Sequence, residues 1–120
     1  MNLPINIPPL TVKLTYEELN EFISYIIKCY EELIINEDND DNLTIIYRYH
    51  LIELINKTVQ KRIKHYYEPY KKNINIKVNE VEQHLLSILF KRYECTPFML
   101  QIQTRFINKL TKLSYGRKSA

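Results

Sequence analysis

Val12-Lys13-Leu14-Thr15-Tyr16-Glu17-Glu18 is echoed 64 positions later by Ile76-Lys77-Val78-Asn79-Glu80-Val81-Glu82. Each copy alternates apolar and polar residues, then places a side-chain cap (Thr15, Asn79) three residues before a glutamate (Glu18, Glu82). Alternation with period two is the pattern of a strand with one buried face. A hydroxyl or amide followed at the third position by Glu is the capping box that opens a helix. Both phrases therefore describe a strand running directly into a helix, and the chain contains that unit twice.

Following each phrase extends it to a β-α-α half. Leu10, Val12 and Leu14 share one strand face, and beyond Thr15 the spacing of Leu19, Phe22, Ile23, Ile26, Ile27, Tyr30, Leu33 and Ile34 predicts an amphipathic first helix. The polar run Asn36–Asn42 ends it, because Asn and Asp side chains compete for backbone hydrogen bonds. A second helix is expected from Leu43 or Thr44, capped by Asn42. Its core stripe is Ile45, Tyr49, Ile52, Ile55, Val59, Ile63 and Tyr66, widened by Leu51 and Leu54. Pro69 denies Glu68 the helical conformation and stops it near Tyr67.

The second half begins with a strand over Asn73–Val78. A third helix follows with Val81, Leu85, Ile88 and Leu89 inward, its apolar surface extended sideways by Leu86, Phe90 and Tyr93. Thr96-Pro97 restarts the chain as a fourth helix through Met99, Ile102, Phe106, Leu110 and Leu113. The expected order is β-α-α-β-α-α: a mainly α protein, a four-helix bundle with a small two-stranded β-ribbon. Neither strand can satisfy its backbone alone, so the two are expected to pair. In domain terms, the 120 residues form one domain. It comprises an extended arm (1–9), a first half (10–67), a second half (73–113) and a flexible basic tail (114–120).

This repeated strand, capped helix and helix, spanning Val12 to Lys112, is similar to short uncharacterised proteins of Bacteroidetes mobile genetic elements. The resemblance implies an all-helical accessory protein and carries over no functional residue.

Composition narrows the class. A hydrophobic content of 45% and a charged content of 26% are those of a soluble globular chain. No apolar run reaches the roughly 20 residues of a membrane span. The proline-bearing start lacks the charged and apolar regions of a signal peptide. A cytoplasmic location is expected, and Cys29 and Cys95 are read as small apolar groups in a reducing compartment. Residues 1–42 carry nine acids and two bases, whereas 43–120 carry fifteen bases and five acids, so opposite charges divide the chain. Isoleucine, asparagine, lysine and tyrosine supply 50 of the 120 residues. All four have A/T-rich codons, which reduces the weight of lysine and tyrosine abundance as a sign of nucleic-acid binding.

The chemistry-bearing candidates are few. The single glycine, Gly116, excludes P-loops, dinucleotide fingerprints and nucleophile elbows. The acidic turn Glu37, Asp38, Asp40, Asp41 fails as a calcium loop: with Asp38 at position one, Leu43 stands where glycine is required and Tyr49 where the closing glutamate belongs. His50–Glu53 and Glu80–His84 have the spacing of helical surface pairs, not of a metal centre. No metal or cofactor is expected. Arg62 and His65 are the nearest pair to an acid–base site, in the company of Lys61 and Lys64.

Two binding surfaces stand out instead. Lys57, Lys61, Arg62, Lys64, Lys71 and Lys72, interleaved with Tyr66, Tyr67 and Tyr70, combine phosphate-contacting cations with stacking rings. The last two helices also admit comparison with a helix-turn-helix, with Gln101, Gln103, Thr104, Arg105 and Asn108 as base-reading candidates, although the usual turn glycine is missing. Separately, Tyr25, Leu86, Phe90 and Tyr93 broaden the apolar faces of the first and third helices as a subunit interface would. The expectation is a small non-enzymatic protein-interaction or accessory protein whose partner is another protein or a second copy in a homodimer. A nucleic-acid-binding accessory protein is the alternative, and a small helical enzyme the third reading.

Overall fold

A computed structural model of the chain describes residues 9–36 and 42–119. The elements are β1 (Leu10–Leu14), α1 (Tyr16–Asn36), α2 (Asn42–Tyr67), β2 (Ile74–Val78), α3 (Glu80–Arg92) and α4 (Pro97–Ser119), in the expected β-α-α-β-α-α order. The strands pair antiparallel, with Leu10 opposite Val78 and Leu14 opposite Ile74. One face of this ribbon is buried along its whole length through Leu10, Val12, Leu14, Ile74, Ile76 and Val78. The residues 1–8 of the expected arm and the acidic turn 37–41 lie outside the described residues.

Both capping boxes form. Glu18 N–H donates to Thr15 Oγ1 (3.2 Å) and Thr15 N–H to Glu18 Oε1 (2.8 Å). Asn79 and Glu82 repeat the exchange at 2.8 and 2.9 Å. Each buried glutamate then meets a cation from the second helix of the opposite half. Arg105 of α4 donates to Glu18 (2.6 Å) and to the Lys13 carbonyl (3.3 Å). Lys57 of α2 donates to Glu82 (2.6 Å) and to the Lys77 carbonyl (2.6 Å). Lys13 and Lys77, like Glu18 and Glu82, stand 64 positions apart, so the glutamate and carbonyl ends of the two locks match under the sequence repeat, whereas their cations, Lys57 and Arg105, stand 48 apart. Charge-assisted bonds of this kind contribute roughly 1.5–3 kcal/mol each.

The helices close a ring: α1 packs on α2 and α4, and α3 on α2 and α4, with the ribbon against α1, α2 and α4. One contiguous core fills it. Phe22 stacks on Phe106 at 5.1 Å between ring centres, and Leu19, Ile26, Leu51, Leu54, Leu85, Met99 and Ile102 are fully buried around them. No helix among the described residues is long and apolar enough to cross a membrane. In α1, Ile27 and Ile34 turn outward while Tyr25 and Cys29 go in; in α3, Val81 is exposed and Leu86 joins Leu85 and Leu89 inside.

α4 continues to Ser119, past the point near Leu113 where a flexible tail was expected to begin. A single glycine inside a helix costs only about 1 kcal/mol, and no proline follows Gly116 to stop it. The side chains of Leu110 and Leu113, expected in the core, lie outside the described residues.

Candidate functional site

α2 has two apolar faces. Leu51, Leu54 and Thr58 are completely buried, and Tyr47 packs beside them. The stripe expected to form the core lies instead largely in solvent: Ile45 is 48% exposed, Tyr49 59%, Ile52 39%, Ile63 47% and Tyr66 79%. At 100° per residue the two lines are separated by about 150° around the helix axis. Only Ile55 and Val59, at the edges of the stripe, pack against the core.

Three cations and one hydroxyl fix this roll. Arg48 reaches the Leu33 carbonyl (3.4 Å), Arg62 reaches Asn20 (3.3 Å), and Lys57 is held at Glu82. Thr58 Oγ1 donates to carbonyls of its own helix, Leu54 at 3.0 Å and Ile55 at 2.9 Å, and so enters the core with its hydroxyl satisfied. Counted as polar, Thr58 makes the inner face look too weak to be chosen from sequence.

Past its midpoint α2 becomes basic. Lys61, Lys64, His65 and Lys71 border a cleft of about 240 Å³ closed by Asn73 and Asn75 at the start of β2. Of the six cations expected to contact phosphate, Lys57 is held in its internal lock, Arg62 is bonded to α1, and Lys71 pairs with Glu68 at 3.1 Å. Lys61 and Lys64 face the cleft, and Lys72 is exposed. Tyr66, Tyr67 and Tyr70 stand out into solvent, Tyr66 edge-on to Tyr67 at 5.4 Å. His65 stacks on Tyr16 at 5.0 Å while Arg62 turns to Asn20. The basic segment is therefore half built into the fold and half available.

No family model, no curated protein and no solved structure matches the chain.

The four residues expected at an interface lie in or against the protein's own core. Tyr25 is buried, its hydroxyl directed at the Leu89 (3.0 Å) and Tyr93 (3.3 Å) carbonyls at the end of α3. Burial raises its phenol well above the ordinary range. Leu86 is buried, and Phe90 and Tyr93 pack on the core from its margin, Phe90 at 5.9 Å from Tyr25 and 6.0 Å from Phe106. These four residues of α1 and α3 are thus taken up by the protein's own core, while α2 exposes Ile45, Tyr49, Ile52 and Ile63.

Of the base-reading candidates on α4, three are committed within the fold, and Gln101 and Asn108 are exposed. Gln103 is buried and Arg105 is locked to Glu18, while Thr104 bonds back to the Leu100 carbonyl at 2.9 Å. Among the described residues no group of three His, Cys, Asp or Glu side chains is placed to hold a metal ion. Cys29 is a free, buried thiol pushed up to about 11 by burial, so it stays protonated at neutral pH.

Proposed function

We propose that this is a small non-enzymatic interaction protein, an accessory or regulatory factor of the cytoplasm, whose working surface is the outer face of α2. What carries the reading is a helix that satisfies its own core with Leu51, Leu54 and Thr58 and still presents Ile45, Tyr49, Ile52 and Ile63 to solvent. A surface helix needs one apolar face for its own fold. Contiguous exposed apolar surface beyond that marks a place where another molecule sits. A photo-cross-linking amino acid at position 52 in the native host tests this, with the exposed position 84 of α3 as control. A protein adduct at 52 and none at 84 is expected; no adduct at 52 contradicts the reading.

A second reading is favoured by the cleft that Lys61 and Lys64 line beside two asparagines and the Glu68–Lys71 pair. It makes the basic end of α2 a contact for nucleic-acid phosphates, flanked by the exposed rings of Tyr66, Tyr67 and Tyr70. Binding to single-stranded DNA or RNA that weakens steeply with salt and is lost in Lys61→Glu/Lys64→Glu supports it. Absence of binding at low salt removes it.

A further inference from the structure

The two outer edges of the ribbon are closed unequally, and the inequality marks a binding site. Opposed residues of an antiparallel pair alternate between those that bond each other and those whose main chain points away from the partner strand. Thr11 lies opposite Lys77, and Lys13 opposite Asn75. Three of these four offer their carbonyls to cations on helices: Lys13 to Arg105, Thr11 to Lys109 and Lys77 to Lys57. All three therefore point outward, and Asn75, in the same alternating set, does too.

The sequence repeat says what belongs at the fourth carbonyl. Asn75 stands 64 positions after Thr11, as Lys77 does after Lys13. Lys61 stands 48 positions before Lys109, as Lys57 does before Arg105. Lys61 is thus the counterpart of the lysine that seals the edge of β1. Among the described residues, however, no hydrogen bond or ion pair engages Lys61, and none reaches the Asn75 carbonyl. Where Lys109 closes the first edge, the second opens as the cleft of about 240 Å³, with Lys61 on one wall and Asn75 on the other.

The groups around this cleft are those that bind an anion. Lys61 and Lys64 supply cations, Asn73 and Asn75 bring side-chain amides, and the outward N–H of Asn75 adds a main-chain donor. Glu68, the acid on the rim, is already paired with Lys71 at 3.1 Å. Lysine ammonium groups and a main-chain N–H at one recessed point match the oxygens of a phosphate. Beside the end of α2, Tyr66, Tyr67 and Tyr70 stand in solvent. Rings so placed stack on bases that are unpaired, as in a single strand.

We infer that the cleft between α2 and β2 holds one phosphate of a single-stranded nucleic acid, clasped by Lys61, Lys64 and the main-chain N–H of Asn75. The inference rests on the second reading above and gives it a defined contact. Lys61 has no duty within the fold, so its replacement leaves the protein folded.

The test is titration with a short oligothymidylate at low salt. Lys61→Gln is expected to weaken binding about tenfold or more, while Lys109→Gln, the same change at the sealed counterpart, leaves it within about twofold of wild type. Asn75→Pro removes the main-chain donor at an outward edge position, where proline breaks no ladder bond, and is expected to weaken binding as well. In the unmutated protein, the Asn75 amide resonance is expected to move on titration and that of Thr11 to stay. A folded Lys61→Gln chain that binds as wild type does, or an Asn75 resonance that stays put while the oligonucleotide binds, overturns the inference. Either result leaves the second reading standing, with its contacts elsewhere on the basic segment. Absence of oligonucleotide binding removes both. If inorganic phosphate then moves the Asn75 resonance, the cleft serves a free anion, and the inference is overturned in that way too.

Discussion

Glu18 shows how much one side chain does in this fold. Its backbone N–H and carboxylate complete the capping box with Thr15, and the same carboxylate holds Arg105 across the ribbon. Burial alone raises the carboxyl, but the bonds from Arg105 and Thr15 more than offset it and leave Glu18 below the usual carboxylate range. A group whose folded value is depressed stabilises the fold above its unfolded value, and that stability is lost as pH falls through the folded value. Arg105→Met is therefore expected to lower stability by roughly 2 kcal/mol at pH 7. The gap from wild type should close from about pH 5 downward as Glu18 protonates. Urea unfolding of both proteins at pH 7 and pH 3 measures it; an equal gap at both pH values counts against the ion pair. Thr15→Ala and Asn79→Ala should each cost about 1 kcal/mol, the usual worth of a side-chain cap, and unchanged midpoints in both would contradict the boxes. The boxes were legible because their signal is local: three residues apart, one cap and one acid. Their cationic partners were not, since Lys57 and Arg105 lie 25 and 87 positions from the glutamates they hold.

Among the elements, strands and helix starts follow from the sequence almost to the residue, whereas helix roll does not. Pro97, Thr96 and Asn79 set their boundaries locally: Thr96 Oγ1 accepts from Met99 N–H at 3.1 Å and Asn79 Oδ1 from Glu82 N–H at 2.8 Å. α2 was expected to bury its more continuous apolar stripe and instead buries the shorter one. Periodicity detects that a face is apolar but not what it is apolar for, and a helix with two such faces offers two answers. On α1 and α3, where the sequence suggests an interface, Tyr25 and Leu86 are buried within the chain and Phe90 and Tyr93 pack against the core from its margin. Substitution separates the two faces of α2. Leu54→Ala should cost about 2–5 kcal/mol as a cavity in a closed core. Ile52→Ala, at a position 39% exposed, should change stability by no more than about 0.5 kcal/mol. Equal losses at both positions would mean that the helix is rolled differently.

For the molecule as a whole, the locks between halves and the ribbon do the same work at different ranges. The ribbon joins strands whose partners are about 60 residues apart, and each glutamate lock ties one half's entry strand to the other half's second helix. Neither half retains a complete ring of helices or a paired strand without the other. Thermal unfolding followed by circular dichroism and by tyrosine fluorescence should therefore give one coincident transition. Two separated transitions would mean that the halves hold independent cores.

The connector at Glu68–Asn73 has a consequence of its own. Its residues lie at or near the surface and α2 has already ended at Tyr67, so this link chiefly keeps two β-α-α pieces at high mutual concentration. Severing it removes tethering but none of the strand pairing, the glutamate locks or the Phe22–Phe106 stack. Co-expressed as separate polypeptides, residues 1–69 and 70–120 should find each other and rebuild the ring, with an affinity that reports the strength of the contact between halves. An insertion at Tyr70 should be tolerated for the same reason, which makes this connector the natural place to fuse a reporter without disturbing either face of α2.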